Sequence, residues 1–228
     1  PEFLEYGDAP REHLYTNGVL PYFRAPHIFI GIPARFVPAR HKFLEHKDPG
    51  VSDGVLMSSR DGLHFVRWAE GFIRPGPEWQ VWTDRNNYPA WGMLATSPEE
   101  ISLYWTEHYR HPTMRFRRGT IRTDGFVSVH AGGEPGQMLT RPLVFTGGRL
   151  LVNYATSAVG SLRFELCDEA GETIEGFGLG ESEMLYGNEI EHEVSWRDEP
   201  DLSALAGRRV RLRVQLKDAD LYSIRFGE

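Results

Sequence analysis

The sequence predicts an all-β protein, and three observations carry that prediction. Apolar and polar residues alternate at period two along several stretches, helical periodicity is almost absent, and glycine-containing turn signals separate the stretches. The clearest case is "RRVRLRVQL". Val210, Leu212, Val214 and Leu216 fall on one face, and Arg209, Arg211, Arg213 and Gln215 on the other, as in a half-buried strand.

The remaining elements follow the same logic. "HIFIGI" and "ISLYW" are short apolar runs of strand length. "SLRFEL" sets Leu162, Phe164 and Leu166 together, and "IEHEVSW" does the same with Ile190, His192, Val194 and Trp196. Hairpin turns are signalled by Asp61-Gly62, Asp124-Gly125, Gly147-Gly148 and "DEAG" (Asp168 to Gly171). Only "DLSALAG" reads as helical, with Asp201 as its cap and Gly207 as its end, for one or two turns.

Composition bounds the function. The 228 residues suffice for one large or two small domains, and a net charge of −7 argues against a nucleic-acid surface. A single cysteine, Cys167, excludes an internal disulfide and a cysteine-based zinc cluster. No run approaches the ~20 apolar residues needed to cross a bilayer as a helix, so no membrane partner is expected. "PEFLEYGDAP" lacks the basic and apolar regions of a leader. The chain begins at Pro1 rather than at a methionine, as a processed chain or one part of a longer protein would. Localisation stays open, and an export signal lost upstream would make the protein secreted or periplasmic.

Near Gly125 to Gly136 the character of the sequence changes. Most aromatics and histidines lie before it, among irregular proline-containing segments, and regular alternating strands follow it. Residues 1–130 and 131–228 are therefore expected to be separate domains. The first contains a weak repeat: "HLYTNGVLPYFRAPHIFIGIP" and "RNNYPAWGMLATSPEEISLYWTE" run through polar residues and a proline into an apolar strand. Each is followed by basic or aromatic strands, "SSRDGLHFVRW" and "TMRFRRGTIRTDGF". Two such units predict about two blades of a β-propeller, whereas a closed ring takes at least four of about 40–50 residues each. The ring would be completed by a missing N-terminal half or by another chain.

Taken in order, "REHLYTNGVLPYFRAPHIFIGIPARFVP", "SSRDGLHFVRW", "WTDRNNYPAWGM", "TEHYRHP" and "LKDADLYSIRF" resemble bacterial proteins similar to glycoside hydrolase family 32, with relatives in family 43. That resemblance covers nearly the whole chain, as the C-terminal half of the family's length. It implies a five-bladed propeller followed by a jelly-roll-like β-sandwich, and a carbohydrate substrate. The family's catalytic carboxylates come from its first three blades, which would lie mostly upstream of Pro1. Neither the family's nucleophile motif nor its Arg-Asp-Pro motif is present.

Glycoside hydrolysis uses two carboxylic groups flanking the sugar. Glu107, where an apolar strand ends beside His108, Tyr109, Arg110 and His111, is the first candidate and the proposed acid. Its alternative is a solvated strand-end glutamate. Asp84 is the second, followed by Arg85, Asn86 and Asn87, which have the donors to bind hydroxyls. Asn-rich turns also form because Asn tolerates left-handed backbone. Tyr15 and Asn17 occupy the equivalent place in the earlier unit, and His108 and Arg110 complete the expected substrate-binding set.

Asp53 and Asp61 read as turn residues, and Arg24 and Arg35 as partners of an acidic sugar or of carboxylates within the fold. Trp79, Trp82, Trp91 and Trp105 divide between core and sugar-stacking platforms. His108 and His111 stand at i, i+3, which suits a helix but not a strand, so no metal is expected. No cofactor motif and no nucleophile elbow is present. The reading is therefore part of a carbohydrate-active protein, a glycoside hydrolase. Its alternatives are glycan binding without cleavage and a purely structural role.

Overall fold

The structure, a computed structural model, describes residues 10–197 and 201–228. The stretch read for a leader therefore lies, up to residue 9, outside the described residues. The described chain is all-β, with two single-turn 3-10 helices and no α-helix. It divides into two compact units, one running to Ile121 and the other starting at Arg122.

The N-terminal unit is built on two sheets. Strands β1 (His13–Tyr15), β2 (Leu20–Tyr22), β3 (Ala25–Gly31), β4 (Ala34–Val37), β5 (Val51–Ser59) and β6 (Phe65–Ile73) form the larger. Its hub is β5, whose first half pairs with β4, whose second half pairs with β3, and which also pairs with β6. The β5 residues Val55, Leu56 and Met57 are accordingly buried. A 3-10 turn, Trp79–Val81, leads to the smaller sheet of β7 (Tyr88–Pro89), β8 (Leu94–Ala95), β9 (Glu100–Glu107) and β10 (Arg115–Arg122).

The turn in "SSRDGLHFVRW" joins β5 to β6. Ser59 Oγ accepts from the amides of Asp61 and Gly62, at 3.2 and 2.9 Å. Asp61 Oδ1 accepts from the amides of Leu63 and His64, at 2.9 and 2.8 Å. The His64 amide and ring and the Leu63 amide hold the Asp61 carboxyl far below its ordinary value. Asp61 is thus a turn residue, and Phe65 beyond it is buried. Asp53, read as a turn residue, lies instead within β5, directly opposite Arg35 of β4. The two form a bidentate pair at 2.8 and 2.6 Å, so Arg35 is a partner of the fold.

The C-terminal unit comprises β11 (Val129–Ala131), β12 (Gly136–Leu139), β13 (Arg149–Cys167), β14 (Asn188–Glu193) and β15 (Arg211–Gly227). All five belong to one sheet dominated by the long antiparallel pair β13–β15, whose register shifts at Asn153/Tyr154 and Thr156/Ser161. The long strands carry the pairing continuously through these irregularities. The alternation read from the sequence sets the burial. Leu162, Phe164, Leu166, Leu212 and Val214 are fully buried, and Val210 and Leu216 nearly so. They join Trp196, whose indole N–H donates to the Phe164 carbonyl at 3.0 Å, in one hydrophobic core. "DLSALAG" contributes a single 3-10 turn, Ser203–Leu205, with Asp201 accepting from the Ser203 amide.

The division between units precedes the expected 130/131 boundary for a visible reason. Residues just after Arg122 are already tied into the second unit: the Thr123 carbonyl accepts from Asn153 at 2.8 Å, and Asp124 from Ser223 at 2.7 Å. β11 then pairs with β15.

Candidate functional site

The predicted site residues lie in the N-terminal unit, on the loop after the 3-10 turn and on the turn that follows β9. Backbone conformation marks both segments. Arg85, Asn87, His108 and Arg110 all have φ between 57° and 62°, the left-handed region that non-glycine residues rarely adopt. Such strain persists only where the surroundings enforce it. Here the surroundings are specific side-chain contacts.

Asn86 and Asn87 are fully buried, and their amides fasten the loop rather than face solvent. Asn86 Nδ2 donates to Thr83 Oγ1 at 2.7 Å, and its Oδ1 accepts from the Tyr109 amide at 2.9 Å, tying the two strained segments together. Asn87 Nδ2 donates to the carbonyls of Ser52 and Val81, at 2.9 and 3.1 Å. His108 is also buried, with one ring nitrogen 2.7 Å from Thr113 Oγ1 and the other 2.5 Å from Glu78 Oε2. These three residues, expected to bind substrate, spend their polar atoms on the fold.

Glu107 stands at the end of β9, buried, facing arginines on β10. Its carboxylate accepts from Trp105 Nε1 at 3.1 Å, from Arg115 Nε at 2.9 Å and from Arg117 Nε at 3.0 Å. Gly119, also on β10, makes room for the Trp105 ring: a Cβ there would stand 2.4 Å from it. Burial pushes the Glu107 carboxyl up, but the hydrogen bonds from Arg117, Arg115 and Trp105 outweigh it and the net shift is downward. Arg115 also donates to Glu78 at 2.9 Å, so His108, Glu78, Arg115, Glu107 and Arg117 form one continuous chain of contacts. Donors from three side chains favour the ionised carboxylate over the protonated one. Glu107 is therefore not the solvated strand-end alternative, and the arginines on its carboxylate disfavour the proton-donor role expected of it.

Asp84 has a different setting. It is buried, with Oδ1 2.9 Å from His46 Nε2 and Oδ2 3.6 Å from Arg85 Nε and 3.7 Å from an Arg110 nitrogen. Arg110 also pairs with Asp48. His46, Asp48 and Asp84 place a ring nitrogen and two carboxylates within 4.8 Å of one another, the donor types of a cation site. The Arg110 guanidinium already brings positive charge against both carboxylates. No spacing in the sequence links His46 to Asp84, 38 residues apart. Only the folding of the 38–50 loop brings them together.

An open aromatic face adjoins this group. Tyr15 is largely exposed, and its ring lies 5.7 Å from that of Tyr88. Burial raises the Tyr88 hydroxyl above its ordinary value, Tyr15 and Asp84 acting in the same direction and Ser52 and Arg85 against it. Arg85 extends to solvent and donates to the Tyr109 hydroxyl at 3.3 Å. The guanidinium carbons of Arg85 and Arg110 lie 5.7 and 5.6 Å from the Tyr109 ring. Tyr15, Asp84, Arg85 and Arg110 are thus brought into one neighbourhood through Tyr88 and Tyr109. Asn17 is exposed and accepts from the Val19 amide at 2.8 Å, a local turn bond. Among the tryptophans, Trp91 is the most exposed. Trp79 packs its ring against Phe43 and His111. Compared with known protein families, with curated proteins and with solved structures, the chain matches none.

Proposed function

We propose that this chain is the glycan-recognising part of a carbohydrate-active protein, and that it holds sugar on the face formed by Tyr15, Tyr88, Arg85 and Tyr109 beside Asp84. The observation that carries the reading is the composition of that face. Aromatic rings offer flat apolar platforms to the C–H faces of sugars, and the exposed Arg85 guanidinium beside them has donors for hydroxyls. The buried asparagines and the left-handed backbone beneath keep the face rigid.

In this reading the two N-terminal sheets correspond to about two propeller blades and the C-terminal unit to a jelly-roll-like sandwich, the ring being completed from outside this chain. Hydrolysis is the further activity that the resemblance implies. Asp84 is the carboxylate that this chain would contribute, because it lies beside the tyrosine face whereas Glu107 is turned to the arginines of β10. The proton donor would then come from elsewhere.

Titration calorimetry with a panel of neutral oligosaccharides tests the proposal. Tyr15→Ala and Arg85→Ala are each expected to weaken binding about tenfold, the loss of one stacking or charge-assisted contact. Circular dichroism should stay unchanged, since both side chains reach solvent. Failure of every oligosaccharide to bind, or full affinity in Tyr15→Ala, would remove the reading.

A further inference from the structure

The loop that delivers His46 and Asp48 also walls a cavity of about 950 Å³ in the N-terminal unit. The base of this loop is fixed by the Gly50 amide donating to the Arg40 carbonyl at 2.6 Å. Gly50 has φ 108°, and a Cβ there would lie 2.1 Å from the Phe36 ring, so only glycine closes the loop this way. Around the cavity stand Arg35, Arg40, Lys42 and Arg74 against Asp53 and Glu70. Arg35 and Asp53 neutralise each other in their bidentate pair.

Arg40, Lys42 and Arg74 have no carboxylate partner among the described residues, and all three are exposed. Arg74 is oriented by its own Nε donating to the Gly71 carbonyl at 2.9 Å. Lys42 is held with its ammonium 4.4 Å from the centre of the Trp82 ring, and the indole N–H is fixed to the Gly76 carbonyl at 2.7 Å. Three unneutralised cations therefore converge on one concavity, with Glu70 as the one carboxylate left to set against them. The chain as a whole carries a net charge of −7. Against that background a local positive basin attracts and concentrates anions.

We propose that this cavity binds an acidic oligosaccharide, one whose sugar rings carry carboxylate or sulfate groups. The ligand class follows from what lines the cavity. Its volume is that of a site for a molecule of several rings, far larger than a single inorganic anion. Three separate cations in its lining suit a ligand that carries more than one negative charge. Lys42 covers the face of Trp82, so the ring offers no platform for a nucleobase. The Glu70 carboxylate among the cations can accept from sugar hydroxyls, which a polyphosphate lacks. The inference takes the carbohydrate class from the proposed function and adds the charge of the ligand.

The test is titration calorimetry of the full chain at low ionic strength with tetragalacturonate, a chondroitin sulfate tetrasaccharide, a neutral oligosaccharide panel and ADP. At least one acidic sugar should bind, with affinity falling as salt rises. The Arg40→Ala/Arg74→Ala double variant should weaken it at least tenfold, and Lys42→Met should weaken it less. Acidic-sugar affinity unchanged by the double substitution, no binding of either acidic sugar, or ADP as the sole ligand sensitive to Arg40 and Arg74 would each overturn the proposal. The neutral panel separates this result from the parent reading. Loss of neutral-sugar binding in Tyr15→Ala with acidic binding intact concerns the tyrosine face. The reverse pattern, in the arginine variant, concerns the cavity.

Discussion

The two units of this chain differ in how much polarity each buries. The C-terminal unit is organised around one apolar core in which β13 and β15 interleave their large side chains. The N-terminal unit buries Ser52, Arg67, Thr83, Asp84, Asn86, Asn87, Glu107 and His108 beside apolar residues such as Val55, Leu56, Phe65 and Ile101, whereas the C-terminal unit buries fewer polar side chains, among them Asn153 and Glu165. Apolar burial is forgiving of detail and roughly proportional to area, whereas each buried polar group needs a partner of defined geometry. The second kind of interior fixes loops in strained conformations and presents chemistry. The contrast teaches that here a scaffold and a site are separate constructions.

The largest effect is expected from breaking the apolar unit at its centre. Leu212→Asp loses a burial worth ~1.5–3 kcal/mol and also places a charge without a partner in the core. The C-terminal unit should fail to fold, read as loss of hydrogen-exchange protection in peptides from β13 and β15. Leu212→Ala, costing about 2–5 kcal/mol, should leave it folded but less stable. Equal protection in Leu212→Asp and the parent would show that the core is elsewhere.

Next is the polar unit. Glu107→Gln removes the charge that Arg115 and Arg117 share. Both arginines also reach solvent, so the cost should be about 1–3 kcal/mol, below that of breaking a fully buried pair. Protection should fall in β9 and β10 and stay unchanged in β13 and β15. Loss of protection in both units would erase the distinction between them.

Acid sharpens the same comparison. Each unit has one buried carboxylate held below its ordinary value of 4.5: Glu107, and Glu165 with its bonds to Cys167, Leu179, Thr173 and Arg213. In both, burial raises the value and the hydrogen bonds and ion pairs lower it by more. A depressed folded-state value means stabilisation complete above the unfolded value and lost as pH falls through the folded one. Denaturant midpoints should therefore hold above about pH 5 and decline below about pH 4.5. In Glu107→Gln the decline should flatten in the N-terminal unit alone.

How much of this was legible in the sequence follows the same divide. Period-two alternation is a local signal, so the buried set from Leu162 to Leu166 and from Val210 to Leu216 could be read directly. The Ser59-Asp61 turn was legible because its bonds span two or three residues. The site was not, because its bonds are long in sequence: Asn87 to Ser52, His46 to Asp84, His108 to Glu78. Asn86 and Asn87 carry the same donors whether they face a ligand or lock a loop, and only the fold decides which. Glu107 was found as a special carboxylate, but its partners were not, because Arg115 and Arg117 approach from the neighbouring strand. The charged run "ARHKFLEHKDPG" was the remaining signal, pointing to the loop that holds His46, Asp48 and the cationic wall.

The smallest effect concerns Cys167. Burial, together with the adjacent Glu165, pushes its thiol up to about 11. Alkylation at pH 8 should be slow in the native chain and rise to the rate of a free thiol only when the C-terminal unit opens. Rapid labelling without loss of protection in β13 would contradict the dry core.

The central claim is that the N-terminal unit recognises glycan and that Glu107 serves its structure. The most direct measurement is hydrogen exchange of the chain with and without a bound neutral oligosaccharide, the sugar being recovered and weighed afterwards by mass spectrometry. The account predicts added protection confined to the segments around Tyr15, Arg85 and Tyr109, with the sugar recovered uncleaved. Cleaved sugar from the parent chain, with cleavage abolished in a folded Glu107→Gln variant, would contradict it.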